Sequence, residues 1–482
     1  MTIDTTMFET VTTHALVDHD RLASLLGGLD ITPEGLRILD DNTVRGNIEQ
    51  LARIAAFGPP EAVLAAHQLT WQIAQTLGIF PASINTLYRA TGSGAIDRQV
   101  SVPAINMRAV AFHSARGVFQ AMRSNRAGAV IFELSRGEIG FTAQRPHEYA
   151  VQILCAAIAE EYSGPVFLQG DHYQISASRY AIDPEKEVQA VEELIREAVS
   201  AGFYNIDIDA STLVDLSFED ITRQQLLNIQ LTARLSAFTR ALEPTAVTIS
   251  LGGEIGEVGE HNSTTGEVRA YLGGVEENLP SNQPGLSKIS VQTGTRHGGN
   301  VLADGSFGDM PIDFGLIKQL SQVCRDEFGL AGCVQHGASM LSLEKIAKLP
   351  AADCTEVHLA AAFLNVVYDS LPDDVVNKAD DWAKQSFAHE WKTDWSEAQF
   401  LHHARRYPIG PFKEDWWRLD ACHAPICEAV RGVAEDYINA LGAAETMDLV
   451  SQYVGHGPVA WCAPTKAIRV DGEESQISDL AS

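Results

Sequence analysis

Eight short apolar runs, separated by stretches with helical periodicity, constrain this chain more than any other feature. They are VPAINM near 102–107, AVIFELS near 129–135, PVFLQGD near 165–171, YNIDIDAS near 204–211, AVTISLGGEIG near 246–256, KISVQTG near 288–294, LAGCVQHG near 330–337 and CTEVHLA near 354–360. Between them lie segments such as VQAVEELIREAVSAG and DFGLIKQLSQVCRDEFG, whose apolar residues recur every three to four positions and so bury one helical face. Nearly continuous apolar runs suit parallel strands covered on both sides. Eight of them alternating with helices over about 260 residues predict a closed (β/α)8 TIM barrel. An open doubly wound sheet would carry a glycine-rich turn after its first strand, and VPAINMRAVAF has none.

Three histidines sit where such a run gives way to glycine or polar residues: His172 in PVFLQGDHYQ, His297 in KISVQTGTRHGG and His336 in GLAGCVQHGAS. Barrels place their chemistry at the carboxyl ends of their strands. Three imidazoles at equivalent strand ends predict ligands of one divalent metal, with zinc as the first candidate.

The barrel is expected to fill residues 101–370, flanked by a helical extension over 1–100 and a second over 371–482. The first contains PPEAVLAAHQLTWQIAQTLGI, an amphipathic helix opened by prolines. The second is rich in tryptophan and charge, is expected to pack onto a second subunit as in a homo-oligomer, and ends in an acidic tail, DGEESQISDLAS. Apolar residues are 45% of the 482 and charged residues 20%, the balance of a globular protein. A net charge of -28 excludes nucleic acids and anionic membrane surfaces as partners. It leaves room for a phosphorylated small molecule, because local amides and cations dominate at short range. No apolar run is long enough to span a membrane, and the N-terminus lacks the pattern of a signal peptide, so a cytoplasmic protein is expected. Seven scattered cysteines form no disulfide framework, and the CHAPIC segment around Cys422, His423 and Cys427 matches no zinc spacing.

Seven of these segments, in order from roughly 102 to 366, resemble the class II, metal-dependent fructose-bisphosphate and tagatose-bisphosphate aldolases. VPAINMRA is similar to the family's first strand with its asparagine, Asn106, and VIFELSRGE to the segment whose serine, Ser135, contacts substrate phosphate. FLQGDHYQ resembles its Asp-His pair, IDIDAS its Asp-x-Ser segment, GGEIGEVG its Glu-x-Gly-x-x-Gly, and TGTRHGG and QHGAS its last two histidine motifs. The resemblance implies that His172, His297 and His336 hold the metal. It also implies that Asp171 is the acid/base at the substrate hydroxyl, and that Asp209 and Glu254 belong to a second metal position or to the surroundings of the first. The cofactor is then zinc or another divalent ion, with a monovalent cation as a further candidate, and the substrate is a sugar phosphate. Phosphate binding is expected at Gly298, Gly337 and Ser339, through backbone amides and a hydroxyl, with Arg136 or Arg296 adding a cation. The implied reaction is reversible aldol cleavage through a metal-stabilised enediolate.

Three departures from the family pattern bear on the substrate. On the eighth strand the chain reads Glu356, Val357, His358, Leu359, Ala360, Ala361 in place of an Asn-x-x-Thr or Asn-x-Asp motif. Met340 replaces the usual glycine after QHGAS. The acidic residue expected after GEIGEVG falls near His261 and Asn262, leaving Glu257 or Glu260 to substitute. A metal-dependent sugar isomerase or epimerase on the same barrel, and a non-catalytic aldolase-like subunit, are the alternative readings.

Overall fold

The computed structural model describes residues 19–32, 35–255, 261–295, 299–455 and 459–461. Eight parallel strands close into a barrel: β1 (Val102–Asn106), β2 (Ile131–Ser135), β3 (Gly164–Gln174), β4 (Asn205–Asp209), β5 (Ser250–Glu254), β6 (Lys288–Ser290), β7 (Cys333–Gln335) and β8 (Glu356–Leu359). Closure comes from β8 against β1, in register from Glu356↔Val102 to Leu359↔Ile105. Each expected strand is present, and helices such as Ala111–Ser124, Pro146–Ala159, Pro184–Ser200 and Phe314–Phe328 return the chain between strands. A parallel pair needs such a crossover, and the crossover helices cover the outer face of the barrel.

The N-terminal extension is mainly helical, as its periodicity requires, and Pro60–Thr76 opens with proline at its first turn. It also holds a small hairpin, Leu29–Thr32 with Gly35–Ile38, and a three-residue strand, Ile79–Pro81, that pairs parallel to the start of β3. Helices Asn85–Gly92 and Met447–Tyr453 close the amino end of the barrel. There Ile84, Leu87, Tyr88, Val450 and Val454 pack on Val102, Ala104, Ile131, Phe167 and Ala331.

The C-terminal extension lies on the barrel of its own chain. Helix Asp420–Ala440 approaches Ala111–Ser124 so closely that a Cβ on Gly117 would stand 2.3 Å from the Cys427 carbonyl oxygen. Trp416 and Trp417 are buried, Trp417 edge-on to Phe57 at 5.7 Å and near Phe112. These two tryptophans are covered within the chain. The CHAPIC segment is one stretch of that helix, and the six described cysteines are unpaired thiols. The acidic tail and Cys462 lie outside the described residues.

His113 and His423 stack face to face at 3.6 Å where this helix meets the barrel, and His67 is fully buried beside His147. Burial lowers the pKa of His113 and His67 below the ordinary 6.5, and a neighbouring histidine lowers each further. A histidine whose folded-state pKa is depressed binds its proton more readily in the unfolded chain, so stability is complete above pH 6.5 and is lost as pH falls below it. Chemical denaturation should show up to about 1.4 kcal/mol lost per pH unit per histidine between pH 6.5 and the folded-state value. An unchanged midpoint between pH 7.5 and 5.5 would refute this.

Candidate active site

Buried parallel strands normally carry apolar side chains inward, yet here several strands present polar residues two apart, which places both on one face. The pairs are Glu133 and Ser135 on β2, Gln169 and Asp171 on β3, Asp207 and Asp209 on β4, Lys288 and Ser290 on β6, and Glu356 and His358 on β8. All ten are buried. The deeper member of each pair belongs to a charged layer in the lumen, and the upper ones lie towards the carboxyl ends of the strands.

His172 does not follow a strand end, as the sequence suggested, because β3 continues to Gln174. Instead the pairing with β4 shifts between Gly170 and Tyr173, and His172 adopts a left-handed φ of +40°. A bulge puts two successive residues on one side, which is how Asp171 and His172 reach the same place. A left-handed backbone at a non-glycine residue is strained, and such strain persists only where surrounding structure enforces it.

The His172 Nε2 faces His336 Nδ1 at 3.1 Å, and Asp171 Oδ1 lies 3.9 Å from His172 Nε2. The other ring nitrogens are held from behind, His172 Nδ1 by Asp209 Oδ2 at 3.1 Å and His336 Nε2 by Ser290 Oγ at 3.1 Å. Asp209 is itself fixed by Gln174 at 2.6 Å and by the Ser211 hydroxyl at 2.6 Å. His297, Gly298, Arg296, Glu257 and Glu260 lie outside the described residues.

Burial opposes charge on His172, but Asp171, Asp209 and Glu254 around it outweigh that and hold its pKa up to about 10. Glu254 itself is pushed up to about 8 by burial. Burial likewise opposes ionisation of Asp171, yet His172 and His358 keep it well below the usual carboxylate range. His358 is held well above its ordinary value despite burial, with Glu133 and Asp171 facing its Nδ1 at 3.0 and 3.3 Å. Beneath it, Lys288 Nζ meets Glu356 at 2.5 Å, Asp207 at 3.0 Å and Gln169 at 2.8 Å. Four carboxyl groups and two cations thus share the lumen, and burial with Asp171 nearby pushes Glu133 up to about 8.

Above this floor opens a cleft of about 890 Å³, lined by Asn106, Asp171, His172, His336, Gly337, Ser339 and His358. Asn106 donates to Glu138 at 2.9 Å and to Asp171 Oδ2 at 3.3 Å. Gly337 has a φ of +66°, and Met340 narrows the loop, since a Cβ on Gly299 would stand 2.8 Å from the Met340 Cβ. Ser135 is turned to a local task, accepting from the Glu138 amide at 3.1 Å in a capping box. Arg136 is locked to Glu187 at 2.5 Å, away from the cleft. The far wall comes from a region the sequence reading assigned to packing: Lys392, Trp395, His402, His403, Arg405 and Arg406. The run HHARR at 402–406 in so acidic a chain was the available signal.

A sequence model of the family fructose-bisphosphate aldolase class-II matches residues 88–444, most of the chain. The chain belongs to that family. No curated protein matches it significantly. Among solved structures, a probable tagatose 6 phosphate kinase from Sinorhizobium meliloti 1021 has 14% identity and a TM-score of 0.54, covering 70% of this chain and all of its own. The YdjI aldolase from Escherichia coli K12 has 16% identity and a TM-score of 0.45, with 76% of this chain and 98% of that one covered. A fructose-bisphosphate aldolase from Campylobacter jejuni has 15% identity and a TM-score of 0.46, with 76% and 96% covered. At these identities the likeness is one of fold.

The residues present in this class-II aldolase chain fit a divalent ion. Asp171, His172 and His336 bring ligand atoms within 4.8 Å of one another. A separation of 3.1 Å between the two facing imidazole nitrogens approaches the edge of about 3.4 Å around a tetrahedral ion with 2.1 Å bonds. Their outer nitrogens have the carboxylate and hydroxyl partners that orient metal-binding histidines. Asp209→Asn should therefore weaken metal binding about 10- to 100-fold while the fold persists. Metal content after dialysis, with His172→Ala as the fully depleted reference, checks this; full retention in Asp209→Asn would contradict it.

Proposed function

We propose that this protein cleaves and re-forms a carbon–carbon bond in a ketose phosphate, as a zinc-dependent class II aldolase. The observation that carries the reading is the convergence of Asp171, His172 and His336 at the floor of one cleft in a barrel of the aldolase family. His172 and His336, with His297 as a third ligand, would hold the ion, Glu254 would stand close by, and Asp209 would orient His172. When bound, such an ion polarises a ketone carbonyl and its neighbouring hydroxyl, and stabilises the negative charge left as the carbon–carbon bond breaks.

Asp171 does the proton work. Its carboxylate, 3.3 Å from the His358 ring, is placed to accept the proton of the hydroxyl on the departing half of the sugar. As that proton leaves, the O–H electrons form the aldehyde carbonyl and the electrons of the broken bond pass into the ketone half. The same proton returns in condensation. Asn106 steadies the second oxygen of Asp171.

An anionic substrate suits the cleft. Gly337 and Ser339 offer an amide and a hydroxyl, and Lys392, Arg405 and Arg406 also line it. Arg405 is paired with Asp380 at 2.8 Å, and with Lys392 and Arg406 it gives the cleft a cationic lining suited to the substrate's charge.

Release of dihydroxyacetone phosphate from a panel of ketose phosphates, with a chelator control, tests the reading. Turnover should stop on chelation and return with zinc. Asp171→Ala should keep its metal and lose about 10²-fold or more in kcat. Wild-type turnover in that variant would remove Asp171 from the reaction.

A further inference from the structure

The charged layer under the cleft connects the active-site floor to the N-terminal extension. Tyr88, on helix Asn85–Gly92, is buried in the apolar plug at the amino end of the barrel, and its hydroxyl donates to Glu356 Oε2 at 2.5 Å. The other oxygen of Glu356 receives Lys288 Nζ at 2.5 Å, Gln169 Nε2 at 2.9 Å and His358 Nε2 at 2.7 Å. Glu356 is therefore held by donors from β3, β6, β8 and the extension. With Nε2 committed to Glu356, the His358 ring can turn little, and its Nδ1 stays 3.3 Å from Asp171 Oδ1. Asn106 donates to Asp171 Oδ2, and Oδ1 faces the His358 ring as an ion pair that His358 Nδ1 shares with Glu133 at 3.0 Å.

We propose that Tyr88 is a positioning residue, fixing the Asp171 carboxylate through the buried chain Tyr88–Glu356–His358–Asp171. The extension thereby becomes part of the active-site scaffold. The proposal rests on Asp171 as the proton carrier. Misplacing a reacting group by a fraction of an ångström lowers the rate of the chemical step more than substrate affinity. A variant that loosens the chain should therefore change kcat and leave KM alone.

The test uses the full-length, zinc-loaded protein with Tyr88→Phe, His358→Asn and the double variant. Tyr88→Phe, which deletes one hydroxyl far below the cleft, should lower kcat about threefold to tenfold with KM and bound zinc unchanged. His358→Asn should lower it further, and the double variant should be no slower than His358→Asn alone, because residues acting through one link are not additive. An unchanged kcat in Tyr88→Phe, a change confined to KM, or factors that multiply in the double variant would overturn the proposal. The ring-nitrogen chemical shifts of His358 give a readout independent of turnover: they should move in Tyr88→Phe, and unchanged shifts would overturn the chain. Absence of retro-aldol turnover in the wild type would instead remove the proposed role of Asp171, and with it the proposal's consequence for catalysis.

Discussion

The ion pair between Lys288 and Glu356, sealed inside the barrel at 2.5 Å, is the interaction on which the interior depends. A buried carboxylate without a partner costs several kcal/mol, and this lumen contains Glu133, Asp171, Asp207 and Glu356. They are tolerable together because Lys288, His358, Gln169 and Tyr88 meet them. Space had to be made as well. A Cβ on Gly252 would lie 2.9 Å from Lys288 Cε and 2.2 Å from Asp207 Oδ1, so only glycine at that point of β5 admits the lysine. Most barrels fill such layers with branched apolar residues, whose packing fixes no charge. Here the layer fixes the orientation of the groups above it, at the expense of stability that apolar packing would supply.

The second constraint is the β3 bulge. A regular strand would aim Asp171 and His172 to opposite sides, one into the lumen and one into the helical layer. The register shift and the left-handed φ of His172 bring both to the cleft, and Asp209 and His336 hold the ring there. Backbone strain and two groups able to bind a metal thus occupy the same two residues.

Much of this was legible in the sequence. All eight strands were, because buried parallel strands are apolar runs whose period differs from that of the flanking helices. So was the grouping of His172 and His336, since strand carboxyl ends share one rim, and the Asp171–His172 dyad. The reason both dyad members face inward was not, because a bulge has no signature in a run of apolar residues. Asp209 reads as an orienting partner once its four hydrogen bonds are seen, a distinction the sequence left open. Ser135 caps the following helix with Glu138, a Ser-x-x-Glu pattern legible in the sequence, whereas Glu187, which holds Arg136, is 51 positions away and outside any motif. The lumen layer was visible only as an oddity, polar residues two apart in strands that should be apolar. Nothing in a linear pattern joins Tyr88 to Glu356, 268 positions away.

The cleft is completed by residues 392–406, downstream of all eight strands. During synthesis the barrel and its histidines leave the ribosome before the segment that walls their mouth. The cleft therefore acquires its cationic side only after all eight strands have been made.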